Sequence, residues 1–170
     1  MTEEKPSTVI VLMGVSGCGK TTVGKALAKR LNCPFYDGDD YHPAENVAKM
    51  ASGQPLNDDD RAPWLDRLNE LIHDHMVRGE GAVVACSALK RRYRDRLRAG
   101  NDGLRFVYLQ GDFDLIWGRM RSRRGHYMKA GMLQSQFDAL EAPDADEALA
   151  VSIEEGTDQI VERIIRLFCG

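Results

Sequence analysis

The chain lacks nearly every mark of a secreted, membrane-bound or metal-scaffolded protein. Its four cysteines, Cys18, Cys33, Cys86 and Cys169, are scattered, and no pair has the spacing of a zinc site or a CxxC redox motif. Residues Met1 to Ser7 are charged, contain a proline and lack the apolar core of a secretory signal. No later run is long enough to cross a bilayer. Repeats and low-complexity tracts are also missing, and a net charge of −3 over 170 residues gives no hint of affinity for nucleic acid or a membrane. These absences predict a cytoplasmic, reduced, single-domain protein spanning residues 1–170, large enough to bury a core without disulfides or a structural metal.

One segment stands out. Gly14, Val15, Ser16, Gly17, Cys18, Gly19, Lys20 and Thr21 read GVSGCGKT and fit the phosphate-loop pattern G-x-x-x-x-G-K-[ST] at every fixed position. Its glycines let the backbone turn tightly with N–H groups aimed inward at phosphate oxygens. Lys20 can reach the β- and γ-phosphates of a nucleoside triphosphate such as ATP, and the Thr21 hydroxyl can ligate Mg²⁺. The context agrees. Thr8 to Met13 is a β-branched, apolar run suited to a buried strand. Val23, Leu27 and Leu31 recur every four residues after the loop, so a helix begins where its N-terminal dipole faces the phosphates. Cys18 sits among these dipoles but reads as a small filler, since phosphoryl transfer needs no thiol.

Strand-like runs alternate with helical patterns, which predicts an α/β protein: a parallel sheet with helices on both faces. The further strands are expected at Cys33–Tyr36, Ala82–Cys86, Leu104–Leu109 and Ala148–Ile153. Pro63 suits the first turn of a helix that follows the acidic run Asp58–Asp60, carries the stripe Trp64, Leu65, Leu68, Leu71, Ile72 and Met76, and stops at Gly79 or Gly81. His73 and His75 on that helix read as solvated surface. A last helix opens near Thr157 and should bury Ile160, Ile164, Leu167 and Phe168.

Ligands of such sheets bind beyond the carboxyl ends of the strands, and the unusual sequence lies there. After the second strand, Asp37 and Asp39 flank a glycine; one carboxylate can orient Mg²⁺-bound water while the other accepts a proton from an attacking hydroxyl. The third strand ends Val84-Ala85-Cys86-Ser87 without the Mg²⁺-binding aspartate of many GTPases and motor ATPases, which favours a small kinase. The run Lys90 to Arg98 is dense in arginine, yet Leu89, Tyr93 and Leu97 give it a buried seam. Most of its cations are therefore surface, with those at its start better placed to hold an anionic acceptor. Arg119 and Arg123 lie one helical turn apart and can converge on a transferring phosphoryl group, with Gly125 a natural hinge.

Together these motifs resemble the gluconate kinase (gluconokinase) family of small P-loop kinases. The resemblance runs from Val9 to about Ile153 and rests on GVSGCGKT from Gly14, DGDDYHP from Asp37, and NVAKMASGQPLNDDDRAPWL from Asn46 to Leu65. It continues through CSALKRRYRDRLR from Cys86, YLQGDF from Tyr108, and RGHYM with SQFDALEAP between Arg124 and Pro143. It implies a three-layer P-loop kinase fold, a five-stranded parallel sheet in the order 2-3-1-4-5 flanked by helices, with a mobile lid at about residues 120–135. It implies ATP- and Mg²⁺-dependent phosphorylation of D-gluconate at the 6-hydroxyl, and a possible homodimer. By similarity Asp39 is the base. His42, Arg61, Ser87, Lys90, Arg94, His126 and Gln134 surround the acceptor, with Lys49 a weaker candidate, and Arg119 and Arg123 serve the nucleotide. Thr21 and Asp37 are the metal candidates. Ser152 stands where relatives usually carry an acidic residue. The alternatives are a shikimate or nucleoside monophosphate kinase, a regulatory nucleotide-binding module, and nucleic-acid binding through the Lys90–Arg98 helix.

Overall fold

The computed structural model of the chain describes residues 8–122 and 130–168. Its centre is β1 (Val9–Met13), whose five apolar residues are all buried. A strand this apolar is stable only when covered on both faces, as in parallel sheets. Around it lie β2 (Phe35–Asp37), β3 (Ala82–Ala85), β4 (Arg105–Gln110) and β5 (Leu149–Ser152), all parallel, in the order β2-β3-β1-β4-β5. That is the order the resemblance implied. The strands are each a residue or two shorter or shifted from the sequence-based limits, the usual uncertainty at element ends.

The period-two geometry of β1 feeds two cores. Ile10 and Leu12 enter one, with Val23, Leu27 and Leu31 of α1 (Lys20–Leu31), Ile116 and Met120 of α5 (Phe113–Arg121), Leu133 of α6 (Ala130–Ala139), and Ile160, Val161 and Ile164 of α7 (Thr157–Phe168). Val9, Val11 and Met13 enter the other, with Trp64, Leu65, Leu68 and Ile72 of α3 (Asp58–Val77), and Tyr93 and Leu97 of α4 (Arg91–Arg98). A short helix, α2 (Ala44–Ala51), lies between β2 and α3.

Three expectations need correction. The helix expected from Pro63 starts at Asp58, because Asn57 accepts from the Asp60 N–H while the Asp60 carboxylate accepts from the Asn57 N–H, a full capping box. The acidic triplet is therefore its first turn, and Pro63 lies inside it. At the other end Gly79, at φ +66°, follows the Arg78 cap, so of the two glycines Gly79 is the stop. His75 is not surface: it is 4% exposed and pairs through Nε2 with the Tyr36 hydroxyl at 2.8 Å. In α7, Val161 is buried while Leu167 is 59% exposed: the buried face is centred on Ile160, Val161 and Ile164, and Leu167 lies at its edge in the last turn, beyond the packed neighbours.

Strand order decides where loops meet. With β3 between β1 and β2, the segments beyond all three strands open side by side, at the end where Leu12 and Asp37 both align with Ala85.

The capping box gives the first prediction. Asn57→Ala should cost about 1 kcal/mol of folding stability, while Asn57→Asp, which keeps the acceptor, should cost much less. Chemical denaturation of both variants checks this.

Candidate active site

The phosphate loop leaves β1 and enters α1 at Gly19, which caps the helix at φ +99°. Gly17 is at φ +82° and packs so tightly on Met120 that a Cβ there would lie 2.6 Å from its Cγ, so any other residue would meet both strain and collision. Lys20 folds back over the loop, its ammonium donating to the Gly14 carbonyl at 2.8 Å and the Val15 carbonyl at 3.0 Å, with Cys18 Sγ at 3.8 Å. Cys18 itself is 1% exposed, packed beneath the loop. Thr21 is exposed on the first turn of α1. The Gly14 N–H donates to the Ser87 carbonyl at 3.2 Å, joining the loop to the tip of β3.

Beyond β2 the chain makes one 3₁₀ turn, Gly38–Tyr41, capped by Asp37, whose Oδ1 accepts from the Asp39 N–H at 3.0 Å. Gly38 is needed for closeness: a Cβ there would sit 2.5 Å from the Ala85 carbonyl oxygen. The Trp64 indole donates to the Gly38 carbonyl at 2.7 Å and fixes the turn from the opposite side. The Asp39 side chain is exposed to the cleft. Partial loss of hydration against the cleft walls, with the nearby Asp37, raises its pKa above the usual carboxylate value, and Lys20 opposes that shift.

His42 stacks on Trp64, ring centres 4.2 Å apart and planes at 15°. Its Nδ1 lies 3.2 Å from Asn46 Nδ2 and its Nε2 4.0 Å from the Asp39 carboxylate. Because Asn46 Nδ2 can only donate, Nδ1 accepts and Nε2 carries the hydrogen toward Asp39. Asn46, 4% exposed, also donates to the Asp60 carbonyl at 2.8 Å. Burial and the Arg61 charge lower the His42 pKa to about 4, so the ring is neutral at pH 7.

The facing wall is cationic but largely paired. Lys49 bonds Asp60 at 2.6 Å; Asp58 holds Lys90 at 3.5 Å, Arg92, and the Tyr93 hydroxyl in a short hydrogen bond. Arg61 donates to that same Tyr93 hydroxyl at 3.1 Å and, among the described residues, has no carboxylate partner. Contacts link Asp39 to His42, and Arg61 to Lys90 through Tyr93 and Asp58, while the Ser87 carbonyl is tied to Gly14. Arg94 stands apart from them. Arg94 is 1% exposed and spends all five donors inside the protein, on Glu147 Oε1 (2.6 Å) and Oε2 (3.3 Å) and on the carbonyls of Ala88 (2.8 Å), Leu89 (3.2 Å) and Glu141 (2.8 Å). Its work is structural, bracing a turn in which Ala88 sits at φ +44°. Burial alone would raise the Glu147 pKa, but its hydrogen bonds and ion pairs with Arg94 and Arg98 leave it lowered.

Gln134 also lies elsewhere, exposed and bonded to Asp138 at 2.9 Å. Gln136, two residues on, is the glutamine that reaches the phosphate loop: its Oε1 accepts from the Ser16 N–H at 2.7 Å and its Nε2 donates to Ser16 Oγ at 2.9 Å. Gln136 and Asn46 were missed by sequence reasoning, although Gln136 is a polar residue set into the apolar stripe of α6. Arg119 donates to the Ile153 carbonyl at 2.6 Å and lines a pocket with Gly19, Thr22, Glu155 and Thr157 on the nucleotide side. Ser152 is exposed, its Oγ accepting from the Glu154 N–H at 3.2 Å. Arg123, His126 and Gly125, and with them part of the expected lid, lie outside the described residues. Burial pushes the Cys86 thiol up to about 12, which keeps it protonated.

Among the described residues no group of three or more His, Cys, Asp or Glu side chains is placed to hold a metal. One hydroxyl at Thr21 and one carboxylate at Asp37 suit Mg²⁺, which keeps most of its waters and binds through phosphates. No described helix is long and apolar enough to cross a membrane.

The chain is similar to known proteins in sequence and in fold. The shikimate kinase family model matches residues 16–166. The thermoresistant gluconokinase of Escherichia coli is 47% identical over 94% of this chain and 92% of its own length. The gluconokinase of Gluconobacter oxydans is 46% identical over 94% and 90%. A crystal structure of a gluconokinase from Sinorhizobium meliloti superposes with a TM-score of 0.84 at 42% identity, covering 98% of this chain and 95% of that one.

A pH prediction follows from His42. Between about pH 4 and its ordinary 6.5 the unfolded chain takes a proton that the folded chain refuses. Its contribution to stability is therefore full above 6.5 and is lost as pH falls toward 4. His42→Gln should flatten the fall of melting temperature across that window, measured by calorimetry in steps of pH.

Proposed function

Because the chain belongs to the gluconokinase family, within the shikimate-kinase-like P-loop kinases, we propose that it transfers the γ-phosphoryl group of ATP to the 6-hydroxyl of D-gluconate, giving 6-phospho-D-gluconate and ADP. One observation carries the reading: the exposed Asp39 carboxylate, held on the Asp37-capped turn beyond β2, opens at the same end of the sheet as the phosphate-loop Lys20 beyond β1. Pure nucleotide binding has no use for such a pair, whereas phosphoryl transfer to a hydroxyl needs both members.

The phosphate-loop N–H groups and the N-terminus of α1 hold the triphosphate. Lys20, steadied by the Gly14 and Val15 carbonyls, neutralises charge on the transferring group. Asp39 takes the proton from the attacking hydroxyl as the oxygen–phosphorus bond forms and the bond to the departing ADP breaks. Neutral His42 keeps its Nε2–H toward Asp39, so it orients that carboxylate without adding a charge. Mg²⁺, held by Thr21 and the phosphates with Asp37 orienting its water, would supply further charge neutralisation.

Arg61 supports an acceptor with a single carboxylate. Lys49, Lys90 and Arg92 already have carboxylate partners, and Arg94 is engaged by Glu147. One guanidinium suits one carboxylate, and Ser87 and His42 suit hydroxyls. A monophosphate acceptor carries more charge than this wall leaves unpaired.

Lys20→Ala should lower turnover by about 10²–10³. Asp39→Asn should lower kcat far more than it weakens ATP binding, and near-normal turnover would exclude Asp39 as the base. The deciding assay is ADP release over a panel of sugar acids, shikimate and nucleoside monophosphates. Stimulation by gluconate is expected, and its absence would remove the proposal.

A further inference from the structure

The peptide between Val15 and Ser16 is held from two sides. Its carbonyl, on Val15, accepts from the Lys20 ammonium at 3.0 Å, and its N–H, on Ser16, donates to Gln136 Oε1 at 2.7 Å. A second bond, from Gln136 Nε2 to Ser16 Oγ at 2.9 Å, makes the clamp two-pointed and fixes the amide's orientation. The helix carrying Gln136 is anchored independently. Leu133 is fully buried, and Phe137 packs on Phe113 with ring centres 5.8 Å apart. Leu133, Gln136 and Phe137 share one helical face, so the packing that seats α6 also delivers the amide to the loop.

The loop's other contacts locate this clamp. The Gly14 N–H is taken by Ser87 and the Cys18 N–H by Val15, and the first bond of the α1 ladder runs from the Val23 N–H to the Gly19 carbonyl. The N–H groups just ahead of Val23 are therefore left for the inner phosphates of a bound nucleotide. Ser16 lies at the loop end away from α1, so a triphosphate seated on the N-terminus of α1 would bring its outermost phosphate to this end.

We propose that Gln136 is a positioning residue for phosphoryl transfer: by clamping the Val15–Ser16 peptide it sets the carbonyl that aims Lys20 and fixes the loop crest against the terminal phosphate. This rests on the kinase reading above. Loss of the clamp frees the peptide to rotate, and Lys20 loses one of its two carbonyl anchors. Contacts to the inner phosphates stay intact, so the effect falls on chemistry and on recognition of the third phosphate. ADP binding is spared.

Three variants test this. Gln136→Met keeps the shape and loses both hydrogen bonds. It should leave thermal stability within a few degrees and ADP affinity within about threefold while lowering kcat tenfold or more, since small misplacements are costly in near-attack geometry. Gln136→Glu keeps both bonds, because a carboxylate accepts from the Ser16 N–H and from its hydroxyl. It adds a charge beside the terminal phosphate, so KM for ATP should rise tenfold or more with ADP affinity little changed. Ser16→Ala combined with Gln136→Met should be less damaging than the product of the two single effects. Unchanged kcat in a folded Gln136→Met protein, or equal losses of ATP and ADP affinity, would overturn the proposal. Should the parent protein show no gluconate-dependent ADP release, the acceptor reading fails on its own. The clamp is then decided by a non-hydrolysable ATP analogue and the clamp-breaking Gln136→Met protein: binding of the analogue weakened more than that of ADP supports it, and unchanged or equally weakened binding of the two overturns it.

Discussion

The hydrogen bond from the Gly14 N–H to the Ser87 carbonyl is the contact on which the rest of the site depends. It joins the first residue of the phosphate loop to the first residues beyond β3, and so fixes the donor side against the acceptor side. It forms because β1 and β3 are neighbours in register, Leu12 against Ala85. One step further out, β2 ends opposite the same Ala85, and Gly38 passes so close to its carbonyl that a side chain has no room. Three strand tips are thereby locked in a row, and Lys20, Ser87 and Asp39 inherit their spacing from the sheet. Such a site tolerates little variation in sheet order, which is why topology and chemistry go together here.

Charge on the acceptor side is organised by pairing. Asp58 sits in the first turn of α3, where the helix dipole favours an anion, and from there it holds Lys90, Arg92 and the Tyr93 hydroxyl. The Tyr93 ring lies beneath three cations, with Arg61, Lys90 and Arg92 at 5.5, 5.6 and 5.9 Å from its centre. Cations gathered this closely would repel one another without Asp58. The cluster is held in place while Arg61, bonded to the Tyr93 hydroxyl, has no carboxylate partner among the described residues. The buried Arg94–Glu147 pair acts differently. Its desolvation is costly, but the guanidinium meets five acceptors, and those on Ala88 and Leu89 stabilise a turn whose left-handed Ala88 would otherwise be unfavourable.

The donor half of the site was legible in the sequence because it is local: strand, loop and helix are contiguous, and the backbone geometry is dictated by glycines at fixed offsets. Sheet order was legible too, through the family resemblance. The acceptor half depends on tertiary contacts, and there sequence reasoning was selective. It named Arg61, Ser87 and His42 as acceptor residues, and also Arg94, which the structure buries among internal partners. A basic run shows which residues carry charge but not which arginine the fold turns inward. The start of α3 was misread because Pro63 was a louder signal than Asn57, although the capping pair Asn57–Asp60 decides the boundary.

Gln134 and Gln136 show what the missing signal was. On α6, Leu133, Phe137 and Leu140 mark the apolar stripe, and Gln136 falls within it while Gln134 falls outside. The same holds for His75, between Ile72 and Met76 on α3, and for Arg94, between Tyr93 and Leu97 on α4. A polar side chain set into an apolar stripe is carried into the interior whether or not it suits the surroundings, so its cost must be met by specific partners. Partners are Ser16 for Gln136, Tyr36 for Nε2 of His75, whose buried Nδ1 has none among the described residues, and Glu147 with three carbonyls for Arg94. In a chain of this fold the informative polar residues are therefore those that interrupt a helical seam, and periodicity is the means of finding them.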